Sequence, residues 1–197
     1  MLAVFRIFYA YILSVFLRMI PTRDQAIALW DDYQLPDTKR RHVELVERVA
    51  LFFAMRLTKA IGVTINTPLL SAAALLHDID KSIQKAEGEH HPDTGVRVLR
   101  ERGMSEVADL VKTHSLSAIL DRNLSPKSWE EKLLYLADKM VKNEILDVDK
   151  RFALWQAEQL PERAQMELTE AYPKVKQLEA ELCRLIQVEP SEIAGLA

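Results

Sequence analysis

The segment Ser71–Lys81 reads SAAALLHDIDK, in which six small or apolar residues run directly into His77, Asp78, Asp80 and Lys81. A helix that is small and apolar on every side belongs in a core rather than on a surface. An imidazole and a carboxylate at its end are costly to bury unless they are paired or bound to a cation. Adjacent His and Asp also form a compact ligand pair for a metal ion. Taken alone, such a dipeptide is usually a core-edge histidine beside a loop carboxylate, so the other histidines decide the reading. All five lie between residues 42 and 114. The ordered set His42, His77-Asp78, His91, His114 and Asp138 falls at helix ends or on core-facing stripes. One or two cations would satisfy all of these groups together. Imidazoles and carboxylates without a thiolate suit Fe, Mn, Co, Ni or Zn.

The elements that must position this set are helical. Thr22 and Gln25 resemble a capping box that opens a short helix to about Tyr33. Asp37 is expected to cap a long helix to about Ile61, with Gly62 as its stop. On that helix His42, Leu45, Val46, Val49, Phe52 and Phe53 share one face, so His42 points to the core. Thr67-Pro68 is expected to cap and start the helix that ends in His77-Asp78. Residues 82–90 are polar and read as a loop. His91-Pro92 starts a helix through Arg102, stopped at Gly103, and Ser105 caps the next, which carries His114. Ser128–Glu131 is a second capping box, starting a helix to about Asp147. Asp138 there sits in a mainly apolar stripe with Leu134, Tyr135 and Val141, where a carboxylate needs a partner. Residues 149–187 form amphipathic helix interrupted at Pro161 and Pro173. Glu158, Glu162, Glu167, Glu170, Glu179 and Glu181 read as its solvated face.

The chain is thus expected to be all-α, a compact helical bundle with a C-terminal helical extension. With 197 residues it divides most simply into a segment 1–20, a domain 21–147 and helices 148–197 packing on that domain. The formal net charge of −3 gives no electrostatic case for nucleic-acid binding. The single cysteine, Cys183, excludes an internal disulfide, suits a reducing compartment and reads as a packing residue. Residues 1–20 are apolar with Arg6 and Arg18 near the ends. Three readings stand: upstream translation before a start at Met19, a membrane-associating helix, or a helix packed on the domain. The location is expected to be cytoplasmic, with membrane association through residues 1–20 on the second reading. Oligomeric state is open.

The pattern H…HD…D, carried by His42, His77-Asp78 and Asp138, resembles the HD-domain metal-dependent phosphohydrolase superfamily over about residues 37–145. His91-Pro92-x-x-Gly95 and His114 resemble the two extra histidines of its binuclear branches, and Leu134–Lys139 (LYLADK) is similar to bacterial diadenosine tetraphosphate hydrolases. HDIDK departs from the HD-x-G-K form of the cyclic-dinucleotide branch at Asp80, and SLSAIL stands after His114 where that branch has GYP. The missing GYP makes cyclic-di-GMP a poor substrate. The resemblance implies a hydrolase of phosphate esters or anhydrides, acting on a small, nucleotide-like substrate through metal-activated water. Asp78 would bridge two ions, with His42, His77 and Asp138 on one and His91 and His114 on the other. Lys81 would bind a phosphate oxygen, or else be an ordinary surface lysine. Asp80 is either a partner of a ligand histidine or a solvated loop residue. His91 is preferred to His90 because Pro92 and Gly95 reproduce the family spacing. The alternatives are a one-metal nucleotidase, in which His91 and His114 line the pocket, and a non-catalytic module that senses a nucleotide or scaffolds a partner.

Overall fold

The computed structural model describes residues 19–196, so residues 1–18, where the membrane-associating or dispensable segment was placed, lie outside the described residues. Among the described residues there are nine α-helices and no strand. They are α1 (Arg23–Asp32), α2 (Asp37–Ile61), α3 (Thr67–Leu76), α4 (Asp93–Glu101), α5 (Ser105–Lys112), α6 (Trp129–Lys139), α7 (Val148–Gln156), α8 (Glu162–Ile186) and α9 (Pro190–Ala194). The all-α expectation holds. No described helix is long and apolar enough to cross a membrane.

Both capping boxes form. The Thr22 side chain accepts from the Gln25 N–H and the Ser128 side chain from the Glu131 N–H, while each N3 side chain reaches back to its cap. Other boundaries shift for identifiable reasons. Asn66, not Thr67, caps α3, because its Oδ1 accepts from the Leu69 N–H at 3.1 Å. Asp37 is the first residue of α2, and the cap position belongs to Pro36. Ser105 likewise opens α5 rather than capping it. Gly62 closes α2 with φ of 69°, in the left-handed region that glycine enters without a Cβ clash. The helix carrying Asp138 ends at Lys139 rather than near Asp147. A tight turn with a bridge between Val141 and Ile145 follows, and Asp147 caps α7 through the Lys150 N–H.

The core is built around α2, which packs against α3 and α6, while α3 also lies on α5. Leu69, Leu70 and every residue of 72–76 are buried, so the apolar run before His77 is the central buried helix that its composition implies. Helix α3 is tied to α1 by the Trp30 indole N–H, which donates to the Leu75 carbonyl at 2.9 Å. Helix α8 packs on α2, α6 and α7. It runs unbroken through Pro173, because Leu168, Ala171, Val175 and Leu178 on either side of the proline are buried and hold the helix together by packing.

Glu179 is not on the solvated face. It is 1 % exposed, accepts the Val148 N–H at 3.0 Å and pairs with Lys176. Its carboxylate thus satisfies an orphan donor at the first turn of α7 and answers that helix's dipole. Glu179→Ala is expected to cost about 2 kcal/mol, since it leaves the buried Val148 N–H without an acceptor. Urea unfolding with an unchanged m-value would show it; a midpoint equal to the parent's would refute it.

Candidate metal centre

Helix α2 delivers His42 and the end of α3 delivers His77 and Asp78. The loop before α4 delivers His91, the segment after α5 delivers His114, and the end of α6 delivers Asp138. The six predicted ligands, spread over 96 residues from His42 to Asp138, form one cluster: His42, Asp78, His91, His114 and Asp138 line a cavity of about 480 Å³, and His77 is buried against His42 and Asp138. His77 is fully buried, and His42, Asp78 and His114 are also buried. His90 is exposed and does not line the cavity, so His91 is the residue that enters the cluster.

The ring orientations are set by main-chain carbonyls and one carboxylate. Nδ1 of His77 bonds the Ala74 carbonyl at 2.8 Å, that of His114 the Val111 carbonyl, and that of His42 the Lys142 carbonyl at 3.3 Å. Nδ1 of His91 faces both oxygens of Asp80, at 2.9 and 3.0 Å. An oxygen of this kind only accepts, so each Nδ1 carries a proton and each Nε2 is the nitrogen left for a second proton or a metal. Those four Nε2 atoms converge. His42 and His77 bring their Nε2 atoms to 3.3 Å, and His91 and His114 to 2.9 Å. Asp138 Oδ1 lies 3.1 Å from His42 Nε2 and 3.4 Å from His77 Nε2. Asp78 stands between the two pairs, its Oδ1 3.5 Å from His91 Nε2 and 4.0 Å from His77 Nε2, its Oδ2 4.0 Å from His42 Nε2.

Lone pairs this close repel unless a proton or another cation lies between them. The donor set therefore fits a metal: buried imidazoles with outer N–H groups held and inner nitrogens convergent, together with two carboxylates. Three overlapping groups could each hold an ion: His42, His77 and Asp78; His77, His114 and Asp138; and Asp78, His91 and His114.

The electrostatics agree. Burial alone would raise the Asp78 carboxyl, but His77, Lys81 and Lys39 outweigh it and hold the group well below the usual carboxylate range. Asp138 is likewise pushed up by burial and pulled further down by Lys139, His42 and His77. Burial opposes a charge on His77, yet Asp78 and Asp138 overcome it and raise that imidazole. His114 is driven well below its ordinary value by burial and by the charges of His77 and His91. Both carboxylates of the cluster are thus held ionised by neighbouring cations, the protonation state in which a carboxylate takes up a metal.

Lys81 and Asp80 were open in the sequence, and each has a definite place. The Lys81 ammonium lies 3.3 Å from Asp78 Oδ1 at the cavity wall. Asp80, with a side chain 1 % exposed, is the partner that orients His91 and not a solvated loop residue. Gly95 of α4 lies beside it, at a distance where an added Cβ would make an ordinary 3.6 Å contact with the Asp80 side chain. Sequence reasoning missed Lys39, 2.9 Å from Asp78 Oδ2, and Lys139, which donates to the His114 carbonyl at 2.7 Å and to Asp138. Lys39 lies three residues before His42 on the same face of α2, and that spacing was the available signal. Lys142, Arg151 and Trp155 also line the cavity, and no motif marked them.

The two neighbouring histidines give a direct comparison. His91→Ala is expected to lower bound metal per chain, whereas His90→Ala leaves it at the parent's level. Elemental analysis of both variants checks this, and a loss confined to His90→Ala would reverse the assignment.

The family model described as HD domain matches residues 41–143, which contain all six clustered residues. A protein of Picrophilus torridus named tRNA (cytidine(56)-2'-O)-methyltransferase is 27% identical over 135 residues, which is 63% of this chain and 37% of that protein. The chain therefore spans little more than a third of that relative's length. No solved structure matches. With the model covering more than half of the chain, and with the His/Asp cluster that gives the family its name assembled in the cavity, the chain belongs to the HD-domain family, whose members bind divalent metals.

Proposed function

We propose that the chain is a metal-dependent phosphohydrolase of the binuclear kind, cleaving a phosphate ester or anhydride of a small nucleotide-like substrate. The observation that carries this reading is the convergence of two carboxylates and four imidazole Nε2 atoms, the imidazoles each oriented from behind by a fixed acceptor. Three ligands suffice for one ion with an open position, so six serve two. The similarity of Leu134–Lys139 to diadenosine tetraphosphate hydrolases favours a nucleoside polyphosphate.

His42, His77 and Asp138 would hold one ion, His91 and His114 the other, and Asp78 would reach both. When bound, such ions supply Lewis acidity toward phosphoryl oxygens and toward an attacking water near neutral pH. The protein's own part is to keep each Nε2 aimed and available to an ion. The Nδ1 contacts do so, because a histidine whose Nδ1–H is held cannot switch tautomer without losing that bond. Lys81 and Lys39 stand on either oxygen of Asp78, at the cavity wall where a phosphate oxygen would enter. An ammonium on a flexible stem serves there as a point charge. The Lys139 ammonium is 2 % exposed and turned onto the protein, so it supports Asp138 and the His114 main chain rather than substrate. The methyl transfer named for the Picrophilus protein is not carried over, since the match covers 37% of that protein.

The test is metal content per chain on protein purified without chelator, followed by turnover assays of dinucleoside polyphosphates, nucleotides and cyclic dinucleotides with Fe, Mn and Co. About two ions per chain with phosphate release supports the reading. About one ion moves the chain to the mononuclear nucleotidase reading. No metal, and no thermal stabilisation on adding any, overturns it in favour of a non-catalytic module.

A further inference from the structure

Arg151 comes from α7, outside the segment that matches the HD-domain model, yet it lines the same cavity as the His/Asp cluster. It is 8 % exposed, an unusual position for a guanidinium. Its Nε donates to the Val141 carbonyl at 3.0 Å, and its Cζ lies 3.6 Å from the centroid of the Trp155 ring. The group is therefore clamped at one edge and over one face. Its Nη1 has no hydrogen-bond partner among the described residues. Of the acids whose charge reaches Arg151, Asp138 is bonded by Lys139 and Glu158 by Lys142 at 2.8 Å instead. A buried, pre-positioned N–H donor without an acceptor in the fold, beside a cavity, is suited to an acceptor that arrives with a ligand. A guanidinium has donors only and pairs best with an oxyanion such as phosphate.

Unlike Arg151 Nη1, the lysines of the cavity each have a carboxylate partner within the fold, and Lys39 and Lys81 stand where the reacting phosphoryl group would enter. Lys39 and Lys81 serve Asp78, and Lys139 serves Asp138. We infer that Arg151 is a substrate-binding residue that receives an oxygen of a second phosphate group, one that does not react, beside the phosphoryl group held at the metal centre. This rests on the phosphohydrolase reading above, and it adds a requirement that the HD segment alone does not impose. The substrate carries at least two neighbouring phosphates, and α7, with Trp155 bracing the guanidinium, reads the second one.

The test uses the full chain with its metal bound. Calorimetry measures binding of methylenediphosphonate, whose bridging carbon resists hydrolysis, and of orthophosphate. Arg151→Gln keeps a donor for Val141 and is expected to bind the diphosphonate roughly 10- to 100-fold more weakly, as for one lost charge-assisted bond. Orthophosphate affinity and metal content are expected to stay within twofold of the parent's. Equal diphosphonate affinity in parent and variant overturns the role of Arg151 and leaves the phosphohydrolase reading standing. A parent that carries no metal and binds neither anion overturns both. If circular dichroism shows Arg151→Gln unfolded, Arg151→Lys replaces it, keeping the charge but not the fork. The expected loss is then smaller but still confined to the diphosphonate, and no loss there overturns the role.

Discussion

Asp78→Ala is expected to remove bound metal and to lower any phosphate release by at least about 1,000-fold, while the fold survives. The metal arm follows from position. Asp78 is the carboxylate that faces both histidine pairs, so its loss takes a ligand from two of the three candidate groups. A metal contributes several kcal/mol of charge stabilisation to the reacting phosphoryl group, and about 4 kcal/mol is a factor of 1,000 in rate. The fold survives because the partners left behind are not trapped. The Lys39 and Lys81 side chains are 38% and 30% exposed, so each ammonium can turn to water when its carboxylate is gone. The alanine also relieves the cost of burying a charge. Elemental analysis reads the first arm, a phosphate-release assay the second, and thermal unfolding in chelator the third. Wild-type metal content in Asp78→Ala would sink the assignment of the centre.

Lys139→Ala is expected to act oppositely, on stability first. Its ammonium is 2 % exposed and is held by the His114 carbonyl, Asp138 and the face of Tyr135 at 4.7 Å. Burial pushes this lysine below its ordinary value, and Asp138 pulls it part of the way back. Removing it leaves the Asp138 carboxylate and a buried carbonyl without a strong partner. Breaking one side of such a pair costs about 3 kcal/mol, the low end of the range for buried pairs, because Asp138 keeps 15% exposure and two histidine neighbours. Asp138 makes the sign with pH explicit. Its carboxyl is lowered in the fold, so its contribution is present above its unfolded value and is lost as pH falls through the folded one. Without Lys139 that contribution shrinks, and the stability gap between parent and variant closes on acidification. A divalent ion compensates Asp138 directly, so adding Mn or Co should recover more stability in Lys139→Ala than in the parent. Equal metal-induced shifts in thermal unfolding would show that Asp138 takes no part in holding the ion.

Much of this was legible in the chain. Capping boxes at Thr22 and Ser128 follow from local hydrogen bonding among four consecutive residues, and both form as read. His42 on the apolar face of a 3.6-residue repeat, and His77-Asp78 after a run with no polar side, place themselves by periodicity. Asp138 announces itself as a carboxylate among buried neighbours. What misled was context. Glu179 has the sequence surroundings of a solvated glutamate, and only the approach of the α7 N-terminus gives it a buried role. Pro173 carries the sequence signal of a break, and packing on both sides of α8 overrides it. Asp80 could have been a loop residue until α4, passing close at Gly95, brought His91 onto it.

The sequence by itself determined the helical class, the order of the elements and the donor types available, because propensity, capping and apolar period act within about one turn of helix. Only the tertiary structure decided which histidine of the 90–91 pair enters the cluster, that the four inner nitrogens meet in one place, and that Lys39, Lys139 and Arg151 line the cavity beside them. Those facts depend on contacts between residues dozens of positions apart. Such contacts are set by how helices pack around one core, and no local stretch of the chain encodes them alone.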